Sequence, residues 1–410
     1  MKYDLAIIGG GPAGLMAAHR ASELSRKVIL IEKNPRLGVK LLITGGGRCN
    51  LTHNIPDYRL MAESFGKDGR FLLSAFSRFG VTEIIAFFEN RGVKLKTEND
   101  NKVFPVSDSA NDILRILVNG IRENGGLIQT SSEVKDFVLE DHKIQKIILT
   151  NGQEISANNF LIATGGLSYS GTGSSGDGYR WLKEFGHTIK PLSPALTPIL
   201  VKEKFVKDLE GLSLENVILN LFYKNKKIAT EQGPIIFTAA GLSGPAALNI
   251  SRHIDFQFAQ NFRIEIVLQP GKTLEDIDKE VLKLVSASNK FLKNSLEGML
   301  PSRIVELVLF LSGIDQERMA NSLSKVERKS LAPIISNVNL NVKSIEGFNR
   351  AMITRGGVDL KEVDSRTMCS KIISNLFLAG EILDLAGPTG GYNLQLSWST
   401  GWVTGSTVIT

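Results

Sequence analysis

Gly9, Gly11 and Gly14 stand in Gly9-Gly10-Gly11-Pro12-Ala13-Gly14, directly after the run Lys2 to Ile8 and before Leu15 to Ser25, which reads as a helix. This spacing is that of a dinucleotide-binding turn, and each glycine has its own task. Gly9 lets the chain turn sharply, Gly11 lets backbone approach a pyrophosphate, and Gly14 lets the helix pack on the strand. A helix starting near Pro12 and Ala13 offers free N–H groups and the positive end of its dipole to phosphate, and proline is tolerated there. The next strand, Lys27 to Ile31, ends in Glu32. An acid about 20 residues past the glycines suits ribose hydroxyls and argues against a 2′-phosphate. The motif alone does not separate NAD from FAD.

A second set of chemistry-bearing residues lies in Thr44-Gly45-Gly46-Gly47-Arg48-Cys49-Asn50. Three consecutive glycines are costly in entropy, so backbone there is expected to approach something closely. Arg48 can hold a cofactor, clamp a phosphate or form an ion pair. Cys49 has no partner cysteine nearby, and a lone cysteine is more often a small buried apolar residue. Asp177, in Ser175-Gly176-Asp177-Gly178, is expected as a helix N-cap rather than an acid or base. The five histidines show no metal-ligand spacing, and His53 alone adjoins the glycine loop. No metal is expected.

The elements that must position these groups follow from periodicity. Phe71 to Asn90 reads as one helix, Gly92 to Lys96 and Lys102 to Pro105 as strands, and Asn111 to Asn124 as a helix stopped by Gly125-Gly126. Leu127 to Thr130, Val134 to Glu140, Lys143 to Leu149 and Asn158 to Ala163 read as strands. From about Leu192 short β-like stretches predominate, then Thr273 to Leu331 reads as helical, with Thr273 as a possible cap. Leu376 to Gly380 forms a last strand before Glu381 and Gly387-Pro388-Thr389-Gly390-Gly391-Tyr392-Asn393. The expected architecture is α/β: a discontinuous Rossmann-like domain over 1–190 and 354–410, an inserted β-rich domain over 191–272 and 337–353, and a helical subdomain over 273–336.

At 410 residues, with 22% charged and 42% apolar side chains, the chain is of ordinary globular composition and long enough for two or three domains. Two cysteines, Cys49 and Cys369, are too few for a disulfide framework, which suits a reducing cytosol. No apolar run of about 18 residues appears, and Met1 leads straight into a strand, so the expectation is a cytoplasmic protein without a membrane partner. The net charge of +6 comes from scattered lysines, a pattern that does not favour nucleic acid.

Taken together, these residues resemble the bacterial YhiN-type, aminoacetone-oxidase-like flavoproteins, related to the fumarate reductases. The resemblance covers essentially the whole chain. It rests on Ile8 to Gly14, Lys40 to Asn50, Ala163 to Ser168, Gly176 to Gly178, Gly241 to Pro245, and Leu378 to Glu381 running on to Gly390 to Gln395. It implies FAD as cofactor. Besides the fingerprint residues it places Glu32 at the adenosine ribose with Lys33 next to it, Val134 at the adenine, and Ala163, Thr164, Gly165 and Gly166 along the nucleotide. Gly380 and Glu381 face the ribityl or pyrophosphate part, and Gly391, Tyr392, Asn393 and Leu394 open a helix toward the flavin N1 and O2 edge. Lys40, Gly46, Gly47, Arg48, Cys49 and Asn50 lie beside the ring, with Arg48 and Asn50 as catalytic candidates. One departure is Thr238-Ala239-Ala240 before Gly241, where the family pattern has a histidine; a potential acid/base is thereby lost.

The implied activity is an FAD-dependent oxidoreductase that transfers hydride between a small organic substrate and the flavin, with the inserted domain covering the cofactor. NAD(P)H docking transiently, or oxygen, would close the cycle, since no second GxGxxG follows a strand in the insert. Two other readings stand beside it: a flavoprotein that modifies tRNA, and a flavin-bound redox sensor without turnover. The sequence does not give the oligomeric state.

Overall fold

The computed structural model describes residues 2–98, 100–286 and 288–408. The chain forms two compact units, Met1–Ala195 with Phe348–Thr410, and Leu196–Gly347. These divisions lie inside the expected 191 and 353 boundaries because Ile189–Ala195 and Ile353–Val358 pair with each other as an antiparallel ribbon of the first unit. The helices of 273–336 are not a separate subdomain. Ile277, Val281, Ile304, Val308 and Leu331 share one buried core with the strand residues Leu219, Ile264 and Leu340.

The first unit is built on a seven-stranded sheet. The first strand, Lys2–Ile8, lies parallel between Val28–Ile31 and Glu154–Ile162, and Leu127–Gln129 extends the sheet beyond Val28–Ile31. Val28–Ile31 is buried throughout, as a parallel strand covered on both faces must be. Glu154–Ile162 begins earlier than the sequence suggests because its first residues pair antiparallel with Lys143–Leu149. Its last three, Phe160, Leu161 and Ile162, pair parallel with Leu376–Leu378. The two ends of the chain therefore meet in one sheet.

The expected helix over Phe71 to Asn90 is broken. A 3-10 segment, Gly66–Leu72, leads into Leu73–Arg78, and a new helix runs over Val81–Glu89. At the break the Phe79 carbonyl accepts hydrogen bonds from Ser399 Oγ (2.6 Å) and Gln395 Nε2 (3.3 Å) instead of continuing the helical ladder. Gly80 starts the new helix, its N–H donating to Glu83 Oε2 at 2.9 Å.

In the second unit six strands close into a barrel: Ile199–Val201, Gly241–Ser243, Lys226–Thr238, Ser213–Tyr223, Phe262–Val267 and Asn337–Ile345. Among the described residues five helices, Pro245–Ser251, Leu274–Ser286, Leu292–Leu296, Ser302–Ser312 and Lys325–Ser336, accompany it. Thr273 Oγ1 accepts from the Asp276 N–H at 3.2 Å, the expected cap. Among the described residues no single helix is long and apolar enough to cross a membrane.

Candidate functional site

The three fingerprint glycines occupy three different environments. Gly9 has φ +111°, and a Cβ there would stand 2.5 Å from the Ala163 carbonyl oxygen, so the turn and the neighbouring strand both require glycine. At Gly14 a Cβ would lie 2.0 Å from the Gly9 carbonyl oxygen, the close helix-to-strand contact expected. At Gly11 a Cβ would meet nothing within 4 Å. That open side lies at the start of the first helix, Pro12–Glu23, whose N-cap is Gly11 itself. A helix start that is open on this side is of the kind that binds phosphate.

Glu32 is aimed at the same turn. Its Oε2 accepts from the Gly10 N–H at 2.7 Å and its Oε1 from the Asn34 N–H at 2.8 Å. Each oxygen keeps a second lone pair for ribose hydroxyls. The Glu32 carbonyl accepts from the Ser132 N–H at 2.9 Å, which brings the strand beginning at Val134 near the turn. Lys33 is engaged elsewhere, by Asp177 Oδ2 at 2.7 Å and by Ser175 Oγ. Asp177 is not the helix cap: Gly176, at φ +83°, is, and Asp177 is the first helical residue. Burial raises the Asp177 pKa, but the bonds to Lys33 and Ser175 outweigh it and hold the group below the usual carboxylate range.

The closing helix, Tyr392–Thr407, sets the geometry of the rest. Gly401 lies on Ala13 and Gly405 on Ala17, where a Cβ would stand 2.3 Å and 2.6 Å from the respective carbonyl oxygens. The two helices thus run side by side in the same direction. With Gly401 beside Ala13, Tyr392 overhangs the start of the first helix by about 12 Å at 1.5 Å per residue. The starts of the two helices are thus offset from one another along their common direction. Gly380, at φ +79°, fits against Ala13, and its N–H donates to Thr400 Oγ1 at 3.0 Å.

The triglycine loop is clamped to this overhang. It comprises a short helix, Val39–Ile43, and a tight turn, Thr44–Gly47, in which Gly45, Gly46 and Gly47 all have positive φ. Gly46 has open space around it. Asn50, with its amide oxygen turned toward the helix, accepts from the Gly391 N–H at 3.2 Å while its nitrogen donates to the Thr52 carbonyl at 3.2 Å. Thr52 Oγ1 donates to Gln395 Oε1 at 2.7 Å. Gly391 lies so close to Thr52 that a Cβ would be 2.4 Å from its carbonyl carbon. Asn393 braces the preceding turn by accepting from the Gly387 N–H (2.9 Å) and donating to the Gly387 and Pro388 carbonyls, both at 3.1 Å. Asn50 is thus a positioning residue for the start of the closing helix.

Arg48 and Cys49 are placed in structural roles. Arg48 pairs with Glu98 at 2.7 Å and Asp108 at 3.6 Å, its guanidinium 3.9 Å above the Phe104 ring, which is the ion-pair alternative of the three open in the sequence. Cys49 is fully buried, and burial pushes its thiol up to about 12. It is therefore no thiolate at neutral pH.

A polar cluster links Lys40 to Glu381. Lys40 Nζ lies 2.8 Å from Glu381 Oε2 and 2.6 Å from Ser168 Oγ. Glu381 Oε1 accepts from Ser168 Oγ and from the Thr354 N–H, each at 2.8 Å. Thr354 Oγ1 in turn accepts from the Leu167 N–H at 2.8 Å, and a Cβ at Gly166 would collide with it at 2.4 Å. Gly165 has φ +74°. The Thr164 hydroxyl is buried without a partner among the described residues. Ser168 and Thr354 had no assigned role in the sequence; isolated hydroxyl residues carry no periodic signal, and only the fold brings them to Glu381. Tyr179 donates to the Glu381 carbonyl at 3.1 Å, its phenol pushed well up by burial and then by Glu381 and Asp384.

These donors, open glycines and the aimed carboxylate make up a Rossmann-type dinucleotide-binding domain, the class to which FAD-binding flavoproteins belong. The chain belongs to the family described as HI0933-like protein Rossmann domain, whose pattern matches residues 3–407. It is 31% identical over 400 residues to a ribosomal RNA dihydrouridine synthase of Haemophilus influenzae, covering 97% of this chain and 96% of that protein. It is 30% identical over 406 residues to a 3-dehydro-bile acid delta(4,6)-reductase of Clostridium scindens, with 98% of each covered. The fold resembles that of a 3-ketosteroid-delta4-(5alpha)-dehydrogenase from Rhodococcus jostii, with a TM-score of 0.55, 13% identity, and 98% and 97% of the two chains covered. It also resembles a flavocytochrome c3 fumarate reductase, with a TM-score of 0.52, 17% identity, and 99% and 78% covered. The protein is an FAD-dependent oxidoreductase.

Proposed function

We propose that this protein is a reductase that saturates a ring carbon–carbon double bond conjugated to a carbonyl, the bond shared by uracil and by unsaturated cyclic ketones. FAD, when bound, supplies the two-electron centre that gives up a hydride. The observation that carries the reading is the pair of side-by-side helices whose starts are offset by about 12 Å at 1.5 Å per residue, which offers one extended cofactor two helix N-termini. The first helix and Gly11 hold the phosphates, Glu32 the ribose, and the start of the closing helix, fixed by Asn50 and Asn393, stabilises negative charge at the ring. Lys40, Glu381, Ser168 and Thr354 fix the strand end between them. NAD(P)H is the proposed electron donor, docking transiently.

Support for the substrate class comes from the relatives. One is named for forming dihydrouridine in ribosomal RNA and the other for reducing a 3-dehydro-bile acid at Δ4,6. Both names describe saturation beside a carbonyl. The test is anaerobic addition of NADH or NADPH to the flavin-loaded protein, followed by ribosomal RNA or a cyclic enone. Bleaching of the flavin band, recovery on one acceptor, and a product with two added hydrogens support the proposal. A reduced cofactor that neither acceptor reoxidises, but oxygen does, overturns it in favour of an oxidase.

A further inference from the structure

Reduction of a conjugated double bond needs a proton as well as a hydride, and Thr238-Ala239-Ala240, before Gly241, offers no histidine to supply it. His53 is the histidine that borders the clamped loop. Its ring is stacked on Tyr392, the first residue of the closing helix, with centroids 4.6 Å apart and planes at 22°. Its Nδ1 lies 3.1 Å from the Gly390 carbonyl oxygen. A carbonyl only accepts, so Nδ1 carries a hydrogen in every protonation state and Nε2 is the atom that gains and loses a proton. No described residue hydrogen-bonds Nε2. His19 and His187, by contrast, are buried in the core, and His142 sits in a turn between two strands.

We propose that His53 is the proton carrier of the flavin site, taking a proton at Nε2 when the cofactor is reduced and yielding it when substrate is reduced. This rests on the FAD-dependent reductase reading. When substrate is reduced, one of its new C–H bonds would form with the hydride and its electron pair, and the other with the proton leaving Nε2, directly or through a water. The π bond breaks, and the substrate gains the two electrons that the hydride carries. The groups facing His53 are Asp100 and Lys102, which pair with each other on the adjoining strand turn, and Tyr392 from the closing helix. Burial lowers the His53 pKa from its ordinary value, with the Gly390 bond and Asp100 opposing. Without a cofactor His53 is thus neutral at neutral pH, ready to accept a proton if negative charge arrives at the start of the helix.

The test is potentiometric titration of the flavin-loaded protein against pH, for the wild type and for His53→Gln, which keeps a donor for Gly390. One extra proton per two electrons steepens the wild-type line by about 30 mV per pH unit, because a tenfold change in proton activity converts to that amount for a two-electron couple. In parallel, the imidazole resonances of His53 in the wild type are followed by NMR in both redox states, so that a misfolded variant leaves the question answerable. An upward move of the His53 pKa on reduction supports the proposal. Equal slopes, or a His53 titration identical in both states, overturn it. Failure of the underlying reading is distinct: no bound flavin and no two-electron wave.

Discussion

Gly11→Ala and Gly14→Ala form a pair that separates cofactor binding from folding. Gly11 has φ −83° and ψ −176°, a conformation any residue adopts, and its Cβ would meet nothing within 4 Å. The alanine therefore leaves the cofactor-free fold intact, and restricting the unfolded chain stabilises it by about 0.4–1 kcal/mol. The same methyl group occupies the space assigned to the pyrophosphate. Loss of one charge-assisted backbone hydrogen bond costs about 1.5–3 kcal/mol, which converts to roughly 10- to 100-fold weaker FAD binding. At Gly14 the methyl would stand 2.0 Å from the Gly9 carbonyl oxygen. An ordinary C···O approach is about 3.3 Å, so strand and helix must separate by about 1 Å. Overpacking of this kind costs about 1–3 kcal/mol, and Gly14→Ala loses stability as well as FAD. The assays are chemical unfolding of the cofactor-free proteins and titration of each with FAD by fluorescence quenching. Wild-type affinity in a folded Gly11→Ala protein would refute the placement of the pyrophosphate over that residue.

Three further outcomes follow from the same geometry. Cys49 stays unlabelled by thiol reagents at pH 8 in the folded protein while the partly exposed Cys369 reacts, as mass spectrometry of digests will check. Because the folded Cys49 pKa, about 12, lies above the unfolded value, the unfolded chain binds fewer protons between pH 9 and 12; stability contributed by this group is present below pH 9 and is lost as pH rises toward 12, measurable by unfolding at alkaline pH. Lys40→Met, which strands the partly buried Glu381, costs about 2–4 kcal/mol, whereas Arg48→Gln at the exposed Glu98 and Asp108 pair costs under about 1 kcal/mol, compared by urea midpoints.

The fingerprint was legible because its glycines answer to local requirements: a left-handed turn at Gly9, an open backbone at Gly11, a close approach at Gly14. Strands such as Lys2–Ile8, Val134–Glu140 and Lys143–Leu149 were legible because apolar spacing reports burial along one element. The break at Phe79 was not, since its cause is a carbonyl bound by Gln395 and Ser399 from the far end of the chain. Nor was the Asp177 assignment, because Lys33, some 140 residues earlier, draws that carboxylate away from capping.

By itself, then, the sequence determined the dinucleotide turn and the acid aimed at it. Each of these is written in residue type and short-range spacing. The tertiary structure decided the division of labour among the polar residues: Arg48 in an ion pair, Asn50 as a clamp, Lys40 and Glu381 tied to Ser168 and Thr354, and His53 stacked on Tyr392. Whether a charged or polar side chain meets a ligand or a neighbour depends on which distant segment packs against it, and that is fixed only when the chain ends close into the same sheet.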